Sequence, residues 1–432
     1  MFRLRAMFAA LMLVAPLAAH AAEITRIASS FDEDDLFDLI VDVAFERTQT
    51  RTKITREQLA ISGGGLTEAT EIWHKGSDTR LNMNLAIGLY KDLQFSFGMP
   101  LILQQNDAYG FVSGTDNTNS TIINNCVNPD GSVIPGCVGN PDLARSLFTI
   151  PQTSKRGGLG NMHFGLAYAF FNENRDDTKP MWIVGIDYEA PTAKQRDPSL
   201  DNNTAVEGNT RGNVGDRVHK YTFYTSLSRN IGVADPYFRL QYTLPVQGPG
   251  IYSNCFNRNN NPPTLGTPQN CFTGPWTRKE TGIHAPHMGG FLFGTEFTAF
   301  TDKTKSQKFA LDLRVIGNYV SEGRYYNELS AALRKLLATQ DYFQVGGQVG
   351  AVASAGEAFT LRASGQFLYN TDHTLTNEQI GKDVNNNGLV EVEERPEELN
   401  PNFDFRTDLV SRRFRATESK TFRLELSAAF AF

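Results

Sequence analysis

The chain has 432 residues, with 41 Lys and Arg against 47 Asp and Glu and a formal net charge of -6. An acidic balance offers no attraction to a polyanion and argues against nucleic acid as a partner. A mean hydropathy of -0.33 beside 30 Phe and 14 Tyr describes a chain that is aromatic without being apolar in bulk, and past the N-terminus no apolar run approaches the length of a membrane-spanning helix.

The N-terminal stretch MFRLRAMFAALMLVAPLAAHAA places Arg3 and Arg5 before an apolar centre from Met7 to Leu17 and the small-residue run Ala19-His20-Ala21. This is the tripartite pattern of a secretory signal peptide, residues 1–21, with cleavage after Ala21 or Ala22. Removing Arg3 and Arg5 takes the charge from -6 to -8. The remaining chain, 22–432, reads as one exported domain. Export brings Cys126, Cys137, Cys255 and Cys271 into an oxidising compartment, where four cysteines allow three connectivities. The local pairs Cys126–Cys137 and Cys255–Cys271 are the simplest, each stapling one loop.

From LFDLIVDVAFER onward the chain alternates with period two, the mark of strands with two unlike faces. Leu39, Val41, Val43 and Phe45 share one face of the first strand, and Asp42 and Glu46 the other. TRLNMNLAIGLY sets Leu81, Met83, Leu85, Ile87 and Leu89 against Arg80, Asn82 and Asn84. LQFSFGMPLIL follows after only Lys91-Asp92, which predicts a tight hairpin. Further strands are expected near 160–172, 180–190, 217–229, 236–247, 286–300, 307–320, 342–354, 358–370 and 419–432. Together they make about twelve, each near the length a tilted membrane strand needs.

The connections alternate strictly. Short ones fall at 91–92, 173–179, 230–235, 301–306 and 355–357; long ones at 49–76, 104–159, 191–216, 248–285, 321–341 and 371–418. Short periplasmic turns facing long external loops predict an all-β fold, a transmembrane antiparallel β-barrel of about twelve strands. Asp42, Glu46, Arg80, Asn82, Asp187, Glu189, Arg239, Asp312 and Arg314 then line the lumen and carry both signs of charge. The last strand, TFRLELSAAFAF, ends in Phe432 and resembles the terminal signal read by the barrel-insertion machinery of bacterial outer membranes. The expected location is the outer membrane of a Gram-negative bacterium, with its lipid as surroundings. The arginine-crowded segment 405–417 is assigned to the last external loop, as a strand extension above the membrane. NELSAALRKLLATQ spaces Leu329, Leu333, Leu336 and Leu337 along a helical face, predicting a short helix that packs on neighbouring loops or lies over the pore mouth.

Two elements carry a family resemblance. KRGGLGNMHFGLAYAFF contains Gly158-Leu159-Gly160-Asn161, and MWIVGIDYEAPTAKQRDPS contains Pro191-Thr192-Ala193. Over about 157–247 the chain resembles a family of outer-membrane transporters associated with the meta-pathway of phenol degradation, loosely related to long-chain fatty-acid transporters. That family has Gly-Leu-Gly-Asp opening one strand and Pro-Thr-Gly closing the next; here Asn161 replaces the acid and Ala193 the glycine. The resemblance implies a barrel that passes small apolar or aromatic molecules passively. The other readings of such a barrel are a structural or adhesive body whose external loops bind a partner, and a barrel lipase.

The last long loop contains DVNNNGLVEVEE, which fits the calcium-loop pattern. Asp383, Asn385 and Asn387 would offer side-chain oxygens, Leu389 its carbonyl, Glu391 a direct or water-bridged contact and Glu394 a bidentate carboxylate, with Gly388 at the turn. With few charges and no second hand, the expected Ca2+ affinity is weak, on the order of 10⁻⁴–10⁻³ M. Catalysis finds little footing. The histidines of the mature chain are His74, His163, His219, His284, His287 and His373, and none stands in the His-x-Ser arrangement of barrel phospholipases. His284 and His287 fall on opposite faces of an extended segment, and His163 is expected to face the lumen.

Overall fold

The computed structural model describes residues 22–30, 38–59, 65–201, 211–255, 270–271, 275–302, 304–356 and 358–432. The expected signal peptide, 1–21, lies outside the described residues. Twelve staves pair antiparallel with their chain neighbours and close on themselves. They are β1 (Leu39–Leu59), β2 (Leu66–Tyr90), β3 (Leu93–Phe111), β5 (Met162–Phe171), β6 (Met181–Ala190), β7 (Val218–Ser228), β8 (Ala234–Gln247), β9 (Met288–Asp302), β10 (Gln307–Val320), β13 (Tyr342–Ala355), β14 (Phe359–Asn370) and β16 (Phe414–Ala431). Closure is made by β1 against β16, in register from Ile40 opposite Ala431 to Arg56 opposite Phe414.

Alternation decides which face each residue takes. Val43, Phe45, Leu311, Leu313, Val315, Leu424 and Leu426 are exposed on the outside, whereas the inward Glu46, Ser226, Asp312 and Ser427 are buried. Such an apolar belt suits lipid, which can pair no backbone group; only a closed ladder leaves none unpaired. At the short-turn end the ladder finishes with Leu39 N–H donating to Phe432 O at 3.0 Å and Phe432 N–H to Leu39 O at 2.9 Å.

The strand boundaries differ from expectation at the long-loop end. The expected loop 49–76 is mostly ladder, because β1 runs to Leu59 and β2 resumes at Leu66. The apolar residues change face there. Ile54, Ile72, Tyr109 and Phe414 point inward and are buried, while Arg51 and Lys53 point outward, so the pattern inverts where the strands rise above the belt. Within the expected loop 104–159, β4 (Gln152–Leu159) pairs with the outer half of β3 and leads into β5 after a break at Gly160-Asn161. β6 ends at Ala190, opposite Met162. Past that point β4 is covered by the next loop instead, with Gly157 N–H donating to Gly212 O at 3.1 Å and Gly212 N–H to Lys155 O at 3.0 Å. Within 405–417, Phe414 to Thr417 are indeed a strand extension, and the two-residue β15 (His373–Thr374) pairs with it there.

The long loops fold into a cap with cores of its own. Ile54, Ile72, Tyr109 and Phe414 from the raised strands pack with Ile122, Phe148, Ile150, Leu329, Leu337 and Leu375 from the loops. Val218, Ile251, Tyr252, Ile283 and Leu336 form a second cluster. The helix expected over Asn327–Gln340 is only Ser330–Leu333 long. Arg334 turns left-handed at φ 56, and the chain continues as β12 (Leu337–Thr339) against β11 (Gly323–Tyr325). Its leucines serve two clusters instead of one helical face. Cys126 is bonded to Cys137 and Cys255 to Cys271, with Cα–Cα separations of 5.5 and 5.6 Å.

Two expectations follow from this architecture. Leu313→Arg sets a charge on the lipid face and costs about 2–4 kcal/mol near the bilayer midplane, measured as lost refolding yield in lipid vesicles. The folded protein runs faster unboiled than boiled on a detergent gel, and equal mobility would contradict a closed ladder.

Candidate functional site

The lumen is lined by charges that meet in pairs. Arg80 grips Asp78 through bonds of 2.9 and 2.8 Å, and Glu46 lies 3.9 Å from Arg80 and 3.5 Å from Arg423. Arg362 donates to Asp42 at 2.9 Å. Asp187 stands 4.0 Å from Arg239, whose guanidinium lies 3.9 Å from the Tyr224 ring centre. Asp312 accepts from Arg314 at 2.5 Å and from the Tyr237 hydroxyl. Lys220 bridges Glu189 at 3.0 Å and Asp216 at 2.9 Å. Thus eight of the nine residues expected to line the lumen enter ion pairs there, and Asn82 shares the inward face of β2 with Arg80. Charges so matched present no single-sign ring of the kind that selects ions.

Both ends of the lumen are obstructed. At the short-turn end residues 22–30 cross the barrel, with Ala22, Thr25, Ala28 and Ser30 buried. Glu23 N–H donates to Glu296 at 2.6 Å, Thr25 bonds Ser228 at 2.7 Å, and Ala28 N–H donates to Gln94 at 2.7 Å. Ser30 bridges Lys91, and Ile27 packs on Ala167, Ala169, Met181 and Ile183. These partners come from β9, β7, β3, β5 and β6, so the segment spans the bore.

At the other end the cap rests on a buried charge network. Arg156, 2 % exposed, donates to Asp107 at 2.5 Å, Asp201 at 3.2 Å, Ser154 at 3.0 Å and Gln105 at 3.1 Å. His74 joins through Asp107 at 2.9 Å, and Arg196 through Asp201 at 2.6 Å. Strands β2, β3 and β4 and the loop after β6 are thereby tied together. Deeper in the cap, burial holds the Asp408 carboxyl up at about 6 although Lys335 lies 3.7 Å away. A carboxyl raised in this way contributes its full stability below the ordinary Asp range and loses it as pH rises through 6.

The barrel wall carries a recess of 630 Å³. Phe223, Leu240, Tyr242, Phe291, Tyr319 and Phe343 line it from the lipid side, and Tyr224, Gln241 and Asn318 lie on the inward face of the same strands. The recess exists because Gly289 and Gly317 replace side chains in the aromatic belt. A Cβ on Gly289 would have nothing within 4 Å, whereas one on Gly317 would meet the Phe291 ring at 2.5 Å. At the rim, Tyr242 is bonded to His287 at 2.8 Å.

The motif residues sit at the broken strand. Asn161 donates to Glu189 at 2.7 Å and to Asp216 at 3.3 Å, and accepts from Ala193 N–H at 3.1 Å. An acid at 161 would face two carboxylates, so the amide suits this chain. The DVNNNGLVEVEE turn is exposed and closes on Asp383, whose carboxylate accepts from Asn386 N–H at 2.7 Å, Asn387 N–H at 3.3 Å and Gly388 N–H at 2.7 Å. Gly388 takes φ 86. Asn387 accepts from Leu389 N–H at 2.8 Å and donates to Glu391 at 2.8 Å, and Asn385 accepts from Asn387 N–H at 2.9 Å. Among the described residues no three Asp, Glu, His or Cys side chains converge to hold a metal.

The histidines are scattered among separate partners: the His219 ring with Tyr188 at 2.7 Å, the His373 ring with Thr371 O at 2.8 Å, and His284, in the cap, through its backbone N–H to Arg324 O at 2.7 Å. Arg156, Tyr237, Arg362 and the 22–30 segment are functional elements that sequence reading passed over. The one signal available was a run polar on both faces, with no apolar residue to meet lipid, as in QTSKR before Gly157.

No family model matches the chain, and no curated protein matches it. Among solved structures it is similar to an outer membrane channel from Pseudomonas putida F1, at 9 % identity and TM-score 0.42, covering 96 % of this chain and 100 % of that one. It is also similar to the outer membrane protease OmpT from Escherichia coli, at 9 % identity and TM-score 0.30, covering 94 % and 100 %. The TodX monoaromatic hydrocarbon channel, as a deltaS2 mutant, gives 7 % identity and TM-score 0.31, covering 91 % and 90 %. These distant likenesses include channels and a protease.

The network around Arg156 makes a sharp expectation. Arg156→Met leaves the buried Asp201 to Arg196 alone and the half-buried Asp107 to His74, a loss of up to about 3–5 kcal/mol, the cost of breaking a buried pair. Protease cleavage of the loops 112–151 and 191–217 should quicken at least tenfold while the unboiled band keeps its mobility; unchanged cleavage would contradict the role given to Arg156.

Proposed function

We propose that this barrel is an outer-membrane conduit for small apolar or aromatic molecules. The observation that carries the reading is the recess in the wall, aromatic on its lipid side and open where Gly289 lacks a side chain. A solute of this class concentrates in the bilayer, since burying apolar surface gains about 25 cal/mol per Å². It would therefore meet the protein at the wall, without needing an aqueous bore. The obstructed ends and the paired lumen charges agree with this, because a hydrophilic solute would have to displace both. The resemblance noted at Gly158–Asn161 and Pro191–Ala193 implies the same class of cargo.

A second reading has its own support. The cap has two apolar clusters and two disulfides, more construction than a pore mouth requires, which suits a structural or adhesive barrel presenting its loops to a partner. One experiment separates the two. Vesicles holding the protein are tested for passage of a monoaromatic acid or hydrocarbon and of a small sugar. We expect faster entry of the aromatic, little change for the sugar, and a several-fold loss of aromatic entry in Gly289→Phe, whose Cβ would stand in open space within the recess. Free passage of the sugar, or no aromatic entry by the wild type, would remove the proposal; the latter result favours the adhesive reading.

A further inference from the structure

Inside the barrel, near the short-turn end, two acids share too few cations. Asp235 of β8 stands directly opposite Glu296 of β9, and both are buried, 5 % and 2 % exposed. Lys308, 3.7 Å from Glu296, is their cation. The other charges nearby are spent elsewhere: Asp312 on Arg314 and Tyr237, Glu173 on Arg229 at 3.4 Å, and Glu23 on Arg362 and, at 3.7 Å, Arg26. Both carboxylate oxygens of Asp235 are without a hydrogen-bond partner among the described residues. A buried carboxylate in that condition is costly unless it takes up a proton or a cation comes to it.

The chain itself can supply one. The Glu23 N–H already donates to Glu296 at 2.6 Å, and Ala22 is fully buried beside it. In the precursor, the nitrogens of residues 22 and 23 are neutral amides with one hydrogen each. Hydrolysis of the bond before either one adds water across it. The signal peptide leaves with a carboxylate, and the new amine takes up a proton to become an ammonium with three donors. Consecutive Cα atoms lie only about 3.8 Å apart, so a terminus at Ala22 or at Glu23 delivers this charge to the same place.

We propose that Asp235 and Glu296 form the binding site for the α-ammonium of the processed chain, so that signal-peptide removal itself seats residues 22–30 across the lumen. The proposal rests on the signal-peptide reading of residues 1–21 and is independent of what the barrel transports. It gives the acid pair its missing counter-ion and makes obstruction of the bore a property of the mature chain.

The test uses the mature protein recovered from membranes, with its first residue read by mass. It is treated at pH 7.5 with an aldehyde selective for α-amines, and labelling is followed by intact mass. Two variants are compared: Asp235→Asn with Glu296→Gln, and an insertion of two serines before Ala22, which moves the charge while leaving both acids in place. Each is first shown to give the fast-running unboiled band. We expect the wild type to label at least tenfold more slowly than the double variant, and the insertion to label as fast as the double variant. Equal rates in all three would show that the two acids give the amine no protection and would overturn the site. A mature chain beginning elsewhere than residue 22 or 23 would overturn it as well. The insertion keeps the outcome decisive if the double variant does not fold.

Discussion

Everything in this molecule hangs on the pairing of β1 with β16. Until that last ladder forms, two strand edges of roughly sixteen residues expose N–H and C=O groups that hydrocarbon cannot satisfy, each at a cost of several kcal/mol. Closing it fixes the staves at twelve and sets both barrel termini, Leu39 and Phe432, at the short-turn end. It also fixes the face of every residue between them. The apolar residues that would make a core in a soluble sheet are turned to lipid, and the polar ones are forced inside.

That inversion explains why the lumen is built of ion pairs. Inward positions on adjacent staves face one another across about 5 Å, so a charge there meets either its opposite or a repulsion. The chain supplies opposites: Arg80 meets Glu46 directly across β2 and β1, Arg239 reaches Asp187 past the intervening β7, and Arg314 pairs with Asp312 two residues back on the same strand. Tyr224 and Tyr237 fill the spaces between, one under a guanidinium and the other bonded to Asp312. Buried pairs add little net stability because desolvation offsets attraction. Their effect here is to leave the lining without an unmatched sign at these positions and to fix the staves relative to one another.

The fold was legible wherever one strand face meets lipid, since Phe, Leu and Val then recur every second residue. Above the belt the same strands continue with Ile54, Ile72, Tyr109 and Phe414 turned inward, and the alternation reverses phase; a reading keyed to the outer face ends the strand at that point. β4 was hidden for a related reason: Gln152 to Arg156 is polar on both faces, one turned into the Arg156 network and the other to solvent. Leu329, Leu333, Leu336 and Leu337 do fit a helical spacing, but the left-handed turn at Arg334 divides them between two clusters. The lumen charges were legible by parity alone. Their partners were not, because Arg362 and Asp42 lie 320 residues apart in sequence and only the closure of the barrel brings them together. The nonapeptide 22–30 carries no period at all, and its place in the bore depends on hydrogen bonds to β9, β7 and β3 and on the packing of Ile27 against β5 and β6.

The two obstructions differ in kind. The cap is held by burial: its clusters remove large apolar side chains from water, and its buried charges, Arg156 with Asp107 and Asp201, and Lys335 with Asp404 at 3.3 Å, are tied by several bonds each. Opening it would expose that apolar surface and strand those ions together, so it behaves as a fixed lid. The 22–30 segment buries mostly small side chains, Ala22, Thr25, Ala28 and Ser30, and is held by single hydrogen bonds worth about 1 kcal/mol each. Its weight in the structure is electrostatic, concentrated where Glu23 meets Arg362 and Glu296. Of the two ends, the one beneath the N-terminal segment is therefore the one whose resistance can be altered by a change of charge without unfolding any part of the barrel.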